Sequence, residues 1–271
     1  TTLLGGSGDD LLVGAGYDSL YGGIGDDELE GYGHTVGYGG SGDDNLFATG
    51  EATMWGGMGD DDLSGHAYGV NGPETVEHGI GPVVHGQWGN DQIISSAGFA
   101  YGGSGADDIY AFGTAEVHGG TGDDHLHVSE AALAYGGKGD DTFDVVARQI
   151  SEGPEFGALE LSGGDGEDSY NVSSHGTANP VQVTITDFDP DQDVLSAVNF
   201  ASTDGQTHYT YDHATTEAAS DGSYVDVTLH WVAIATPSAT PVAPQSTVVR
   251  IMGQSSFDTA SIRTETEQEA A

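Results

Sequence analysis

The sequence predicts an all-β fold: a right-handed parallel β-roll (a β-solenoid) of GGxGxDxUx repeats, followed by a small β-rich C-terminal cap. Three observations lead to this prediction. A nine-residue unit recurs nine times, most copies lie 17 residues apart, and the glycine periodicity gives way after residue 171 to alternating apolar and polar residues. Short strands that end in glycine-rich turns at a fixed period are typical of solenoids, in which each repeat contacts only its neighbours.

The recurring unit is G-G-x-G-x-D-x-U-x, in which U is an apolar residue. The unit that starts at Gly86 is degraded to GQWGNDQII, whereas the remaining units keep their glycines. The third position accepts residues as different as Ile24, Trp88 and Lys138, which indicates a side chain that points outward. The units begin at Gly5, Gly22, Gly39, Gly56, Gly86, Gly102, Gly119, Gly136 and Gly163.

The glycines and the aspartate of each unit are the candidate metal ligands. Glycine permits positive φ, so the backbone can turn tightly with its carbonyl groups aimed at one point. A donor set of carbonyls and carboxylates, without sulfur, favours calcium over zinc or copper. The candidate aspartates are Asp10, Asp27, Asp44, Asp61, Asp91, Asp107, Asp124, Asp141 and Asp168. The candidate glycines are Gly6, Gly8, Gly23, Gly25, Gly40, Gly42, Gly57, Gly59, Gly103, Gly105, Gly120, Gly122, Gly137 and Gly139.

These units resemble the calcium-binding repeats of RTX (hemolysin-type) proteins, and the resemblance covers residues 1–171. It implies that several calcium ions are the cofactor and that the protein is secreted or lies at the cell surface. RTX proteins exported through a one-step (type I) channel carry an uncleaved C-terminal address. The resemblance therefore suggests an export role for the residues after about 250, although no motif there identifies one.

Eight residues separate successive units in 5–64 and 102–144. The first of these spacers, residues 14–21, is a decayed unit with Asp18 at the aspartate position and Leu20 at the apolar position. We interpret one rung of the roll as one full unit plus one decayed unit. All well-formed turns then fall on one edge, so we expect a single file of calcium ions there and at most a weak ligand at Asp18.

The same register predicts two inward apolar ladders and one outer column of rings. A core one side chain deep does not by itself offset the entropy of ordering a glycine-rich chain, so we expect the metal to supply the difference. The full-unit ladder is Leu12, Leu29, Leu46, Leu63, Ile93, Ile109, Leu126, Phe143 and Tyr170. The half-unit ladder is Leu20, Gly37, Met54, Val84, Ala100, Val117, Ala134 and Leu161. The predicted column of stacked rings contains Tyr21, Tyr38, Trp55, His85, His118 and Tyr135.

The charge of the chain restricts its partners. It has 44 acidic and 4 basic residues and a formal net charge of −40. Nucleic acid and anionic membrane surfaces would repel such a chain, and the metal-free chain is expected to resist compaction. No cysteine is present, so disulfides contribute nothing. No apolar run approaches the 18 residues that a membrane span needs. These features fit a protein that folds outside the cell with metal in place of disulfides.

Two insertions and a C-terminal region depart from the period. Residues 65–85 and 145–162 are predicted loops, either partner-contact segments or solvated filler. Strands are predicted at 181–185, 225–231 and 247–252 within a cap spanning 172–262, and residues 263–271 form a polar tail. Residues 187–195, DFDPDQDVL, resemble the D-F-x-x-G-x-D-x-L segment that follows RTX arrays, with Asp191 at the usual glycine position.

Other chemistries fit the sequence less well. Pairs such as Asp9–Asp10 could serve in glycoside hydrolysis, but an enzyme needs one such pair and this chain repeats it in identical frames. The fifth-position acids are expected to raise the negative potential rather than to bind metal directly. His125 and His127 would share one strand face, yet no third zinc ligand stands at a predictable spacing. The sequence contains no H-E-x-x-H, G-x-S-x-G or phosphate-loop motif, and no enzymatic activity is predicted.

The expected function is an extracellular calcium-binding structural or assembly module that folds on calcium binding. The alternative is the non-catalytic C-terminal tail of a secreted hydrolase or polysaccharide-modifying enzyme. Because the first full turn begins at Gly5, the N-terminal rung is predicted to be uncapped. A second copy of the chain could cover it and so build a homo-oligomer or filament; the other possibility is an upstream domain.

Overall fold

The computed structural model describes residues 1–66, 81–129, 132–147, 159–174, 181–201, 207–234 and 244–266. These residues form 24 β-strands and one short 3-10 turn. The strands of the repeat region are β1 (Thr2–Ser7), β2 (Leu11–Gly16), β3 (Ser19–Ile24), β4 (Glu28–Gly33), β5 (Val36–Ser41), β6 (Asn45–Gly50), β7 (Thr53–Met58), β8 (Asp62–His66), β9 (Val83–Trp88), β10 (Gln92–Ser95), β11 (Phe99–Ser104), β12 (Asp108–Ala111), β13 (Glu116–Thr121), β14 (His125–Ser129), β15 (Leu133–Lys138), β16 (Thr142–Ala147), β17 (Leu159–Asp165) and β18 (Ser169–Ser174). The later elements are β19 (Val181–Ile185), β20 (Val194–Ala201), β21 (His208–Ala218), β22 (Tyr224–Ile234), β23 (Gln245–Met252), η1 (Thr259–Ser261) and β24 (Arg263–Thr266).

Successive strands alternate between two parallel sheets. The odd-numbered strands β1–β19 form sheet A and the even-numbered strands β2–β20 form sheet B, each strand pairing with the strand two further along the chain. Leu12 pairs with Leu29, and Leu29 pairs with Leu46, so one rung is one full unit plus one decayed unit. The predicted all-β parallel solenoid is therefore confirmed.

Both apolar ladders point into the space between the sheets, as predicted. No member of the full-unit ladder is more than 5% exposed. In the half-unit ladder, Gly37 lies between the larger residues Leu20 and Met54. Neighbouring rungs share one thin layer there, and a Cβ added at Gly37 would overlap the Met54 sulfur. The size of Met54 thus explains the missing side chain at Gly37, and the core remains one side chain deep from each sheet.

A continuous column of rings runs along the outer face of sheet A. Consecutive ring centroids lie 4.7 to 5.3 Å apart, with planes within 13° of parallel. This spacing is that of neighbouring strands, so the strand register itself stacks the rings. The prediction of a stacking column is confirmed, and Tyr101 joins it. In chain order the column is Tyr21, Tyr38, Trp55, His85, Tyr101, His118 and Tyr135.

The parallel order continues past the last glycine-rich unit. Strand β19 lies between β17 and β23, and β20 lies between β18 and β24, all in parallel. Strand β22 pairs antiparallel with β21 and β23. The predicted strands 181–185, 225–231 and 247–252 are confirmed as β19, β22 and β23. Trp231 anchors this region, since its ring is buried and Nε1 donates a hydrogen bond to the Val198 carbonyl at 3.0 Å.

Two parts of the C-terminal region were not predicted from the sequence. Residues 263–266, assigned to a polar tail, instead form β24 beside β20. Strand β21 also escaped prediction, because its sequence HYTYDHATTEA is mostly polar and its outer half is exposed. Backbone pairing rather than apolar burial supports both strands. The insertions lie between β8 and β9 and between β16 and β17, and they are shorter than the predicted loops 65–85 and 145–162. Residues 65–66, 83–85, 145–147 and 159–162 belong to these four strands because they continue the pairing of the neighbouring rungs. Residues 67–80 and 148–158 fall outside the described ranges.

The close stacking of turns predicts a position-dependent cost for replacing glycine by alanine. Gly6 and Gly40 hold the same place in their units, with φ of 114° and 127°. A Cβ added at Gly40 would strike the Gly23 carbonyl oxygen, whereas one at Gly6 has no heavy atom within 4 Å. Gly6→Ala should lower the free energy of unfolding by about 1–2 kcal/mol for the positive φ. Gly40→Ala should cost a further ~1–3 kcal/mol.

Denaturant unfolding of both variants in saturating calcium, followed by circular dichroism, would measure this difference. Gly6→Ala is the control for the backbone conformation alone. Equal losses in the two variants would mean that the contact between rungs does not require glycine.

Candidate metal centre

The glycine-rich turns all lie on one edge of the roll, where sheet A passes into sheet B. Their sixth-position aspartates form one column along this edge. From the second unit onward each of these carboxylates is at most 2% exposed, while Asp10 in the first rung is partly exposed. The structure therefore brings all nine predicted aspartates of the full units into a single file.

One oxygen of each carboxylate is held by the neighbouring rung. The backbone N–H of Asp27 donates to Asp44 Oδ1, and the N–H of Asp44 donates to Asp61 Oδ1, both at 2.8 Å. The same bond recurs from Asp10 to Asp168 with lengths of 2.8 to 3.1 Å. We call this series the aspartate ladder. Its bonds fix the orientation of every carboxylate from Asp27 onward, whereas Asp10 takes part through its backbone N–H.

The other oxygen is buried and has no hydrogen-bond partner among the described residues. This holds for Oδ2 of eight aspartates: Asp10, Asp27, Asp44, Asp61, Asp91, Asp107, Asp124 and Asp141. A Cβ added at Gly5 would lie 2.6 Å from Asp10 Oδ2 and 2.7 Å from the Gly22 carbonyl oxygen. The same pairing of Oδ2 with a carbonyl oxygen of the next rung occurs at seven of the eight aspartates, all but Asp61. Buried acceptors without a donor are costly, so this space suits a cation.

Burial alters the acidity of the ladder. Loss of solvation raises the pKa of Asp44, Asp107 and Asp168 to about 6. The same cause raises the pKa to about 7 in four further aspartates, Asp61, Asp91, Asp124 and Asp141. Neighbouring carboxylates add to the rise at most positions, and the hydrogen bond from the adjacent backbone N–H opposes it. Without a cation, these groups hold their protons toward neutral pH.

The predicted glycines adopt the backbone conformation that the turn requires. All fourteen have positive φ, between 95° and 140°. Gln87, at the second position of the degraded unit, has φ of 89° and is the single non-glycine with positive φ among the described residues. The tight turn is therefore confirmed, whereas ligation by the carbonyls of these glycines stays a prediction.

The fifth-position acids form a second, exposed column beside the ladder. Asp26 N–H donates to Asp9 Oδ1 at 3.1 Å, and Asp43 N–H donates to Asp26 Oδ1 at 3.0 Å. Each fifth-position carboxylate accepts a hydrogen bond from the backbone of the following rung, whereas each ladder carboxylate accepts one from the backbone of the preceding rung. These side chains are exposed, and the expectation that they act through their charge stays a prediction.

Sequence reasoning missed the residue that ends the ladder. Asp193 Oδ1 accepts from the Asp168 N–H at 3.1 Å, and its Oδ2 accepts from the Asp189 N–H at 2.7 Å. The signal was present, because Asp193 stands two residues before Leu195, the spacing of aspartate and apolar residue in every unit. The backbone N–H of Asp191, the residue in place of glycine, donates to Asp189 Oδ1 at 3.0 Å.

Asp187 closes the last glycine-rich turn from the other side. Its carboxylate accepts from the Ser162 hydroxyl at 2.6 Å and from the N–H groups of Gly163 and Gly164, both at 3.1 Å. These donors are the first two residues of the ninth unit and the residue that precedes it. Asp187 and Asp193 together therefore occupy the end of the edge where a tenth turn would stand.

Asp18 lies on the opposite edge, outside the ladder. Its carboxylate accepts from the Thr1 hydroxyl at 2.7 Å and from the Ala15 N–H at 3.0 Å. The Thr1 amino group and hydroxyl lower the pKa of Asp18. Its environment is that of a hydrogen-bonded surface carboxylate, unlike the buried Oδ2 atoms of the ladder.

No protein-family model matches the chain, and no curated protein matches it either. Within the described residues, no helix is long and apolar enough to cross a membrane. The fold and the site define the class on their own: a solenoid of parallel strands with a buried aspartate ladder along one edge.

The raised pKa values predict how the metal-free protein responds to pH. The folded pKa of Asp44, about 6, lies above the ordinary aspartate pKa of 3.8, so its protonation stabilises the fold below about pH 4. That contribution is lost as the pH rises through about 6. Asp44→Asn stays neutral, so at pH 7.5 the metal-free variant should be more stable than wild type. At pH 4 the two should be similar.

Asp43→Asn is the matched control, because it removes the same charge from an exposed carboxylate one residue away. Circular dichroism after chelation and desalting measures the folded fraction at both pH values, in sucrose at a concentration that keeps part of the metal-free chain folded. If Asp44→Asn and Asp43→Asn gain the same stability over wild type at pH 7.5, the pH response is controlled by general charge reduction rather than by burial of the ladder.

Proposed function

We propose that this chain is an extracellular calcium-binding structural or assembly module that folds when calcium occupies the aspartate ladder. The observation that carries the proposal is the row of eight buried Oδ2 atoms without a hydrogen-bond partner among the described residues, seven of them beside a backbone carbonyl. Carboxylate and carbonyl oxygens are the ligands that calcium prefers. In this proposal the Oδ2 atoms and the turn carbonyls hold the ions, and the ions neutralise the edge.

Electrostatics gives the reason for coupling between metal and fold. Carboxylates on adjacent strands lie about 5 Å apart, and two unit charges at that distance repel by about 3 kcal/mol at an effective dielectric constant of 20. Repeated along nine rungs, such repulsion exceeds the ~5–15 kcal/mol stability of a typical domain. The net charge of −40 adds to it. A cation between rungs converts this repulsion into attraction.

The resemblance to RTX repeats supports an extracellular location. The GGxGxDxUx units are typical of secreted proteins that meet millimolar calcium outside the cell, and sites of this kind bind calcium in the extracellular range. The chain would then stay unfolded where calcium is scarce and fold after export. An export address after about residue 250 belongs to the same proposal.

The first rung favours an assembly role or a joined domain. Strands β1 and β2 each pair on one side, with β3 and β4 respectively. They expose Leu4, Leu11 and Val13 at 74%, 64% and 52%. Unpaired strand edges with apolar side chains are sites for further pairing. Either a second copy of the chain or an upstream segment, such as the catalytic domain of a secreted hydrolase, would fit this end.

Calcium should fold the chain. Removal of calcium should abolish the β-sheet circular-dichroism signal of the roll, because every ladder carboxylate is then repelled by its neighbours. A spectrum unchanged by excess EGTA would rule out the coupling between calcium and folding.

Calorimetry should count several calcium ions per chain. The Asp44→Ala variant should bind at least two ions fewer than wild type, because Asp44 stands between two rungs. Asp18→Ala, on the opposite edge, is the control and should bind at most one ion fewer. Equal losses of calcium in the two variants would rule out the single file.

If the uncovered first rung binds a second copy, association should require calcium and should depend on β1. Sedimentation of the full chain should show oligomers in calcium and a monomer after chelation. Leu4→Lys should reduce the association by adding charge to the exposed edge, while Ile24→Lys, an exposed change of the same kind on β3, should not. A monomer at high concentration in calcium would leave the upstream segment as the partner of this end.

A further inference from the structure

A second group of metal-ligand side chains lies on the outer face of sheet B, beginning one residue after the ladder aspartates Asp107 and Asp124. His125 and His127 project from β14. Asp108 on β12 is the register partner of His125, and Asp144 on β16 is the register partner of His127. Three consecutive rungs therefore contribute to this group, which we call the histidine cluster.

The distances within the histidine cluster are close to those of a metal site. One ligand atom each from Asp108, His125 and His127 lies within 4.8 Å of the others. His127 Nε2 is 3.1 Å from Asp108 Oδ1, and His125 Nε2 is 2.9 Å from Asp144 Oδ2. Tetrahedral zinc bonds of about 2.0–2.1 Å place ligand atoms about 3.3 Å apart. Small side-chain rotations would bring the three groups to that separation.

The surroundings hold these side chains in place. The Tyr110 ring stacks on His127 with centroids 4.2 Å apart and planes 8° from parallel. Asn171 Nδ2 donates to Asp144 Oδ1 at 2.9 Å. Neighbouring carboxylates and amides of this kind orient the ligands in known metal sites.

The Asp108 carboxylate lies directly beside one of the two imidazoles. Its Oδ1 atom is buried and lies 3.1 Å from His127 Nε2, while the Asp108 side chain as a whole is 38% exposed. Carboxylate oxygen and imidazole nitrogen are both zinc ligands. The two groups are therefore already adjacent, at a place that an ion from solution can reach.

We propose that Asp108, His125 and His127 form a site for a transition-metal ion of the zinc class. Asp144, 2.9 Å from His125 Nε2, orients that imidazole. Imidazole nitrogen suits zinc, copper and nickel, whereas calcium takes oxygen ligands. The site is thereby chemically distinct from the aspartate ladder. An ion bound there would join β12 and β14 across the outside of sheet B and would stabilise the folded chain by mass action.

The experiment uses the full chain in saturating calcium, with Co²⁺ as a spectroscopic probe and Zn²⁺ as its competitor. Wild type should bind one Co²⁺ with the visible absorption of tetrahedral nitrogen and oxygen coordination, and Zn²⁺ should displace it. His127→Asn and Asp108→Asn should each weaken binding by more than tenfold. Asp144→Asn should weaken it by about tenfold. Circular dichroism in calcium checks that each variant keeps the fold.

His34→Gln is the matched control. His34 is an exposed histidine 3.2 Å from the Glu51 carboxylate and lies outside the histidine cluster, so this variant should bind Co²⁺ like wild type. The proposal is overturned if the double variant His125→Asn, His127→Asn binds as much Co²⁺ as wild type. It is also overturned if His34→Gln loses as much Co²⁺ binding as His127→Asn. It is also overturned if Asp44→Ala removes the visible absorption while His127→Asn retains it, because the ion would then sit in the aspartate ladder.

Discussion

The fold depends on the hydrogen bond between the backbone N–H of one ladder aspartate and the carboxylate of the next. That bond places Oδ1 of Asp44, for example, against the Asp27 N–H. It also forces the second oxygen into a space without a donor. The geometry that aligns the rungs is therefore the geometry that concentrates buried negative charge. Rung alignment and charge neutralisation cannot be separated in this protein.

The apolar core is too thin to carry the structure without the edge. Each sheet contributes one main ladder, and Gly37 leaves room for Met54 rather than adding a side chain of its own. Most solenoid cores gain stability from bulk burial, at about 25 cal/mol per Å² of apolar surface. Here the outer ring column and the cap around Trp231 add apolar contact, but the rings of the column stack on the outer face of sheet A and do not fill the interior of the turns. The turns have to be held by polar and ionic interactions.

The sequence predicted what depends on a fixed period. The 17-residue spacing was sufficient to place Leu12 beside Leu29 and Trp55 among stacked rings, because in a parallel roll equal offsets are spatial neighbours. Strand β24 could not be predicted in this way, since polar residues pair there through the backbone. The partners of His125 and His127 were predictable in principle: Asp108 and Asp144 lie 17 residues before and after them. They were missed because zinc ligands were sought along one strand rather than across rungs.

The direction of the ladder bonds makes the two ends of the roll unequal. Every ladder N–H points toward the C-terminal end, where Asp193 receives the last of them. Rungs removed from the N-terminal end would leave carboxylate oxygens, which water solvates readily, whereas rungs removed from the other end would leave an N–H without its acceptor. Duplication of a 17-residue rung near the N-terminus therefore needs no new acceptor for the last ladder N–H, because Asp193 already accepts it. The length of such an array can vary in evolution while its C-terminal closure stays the same.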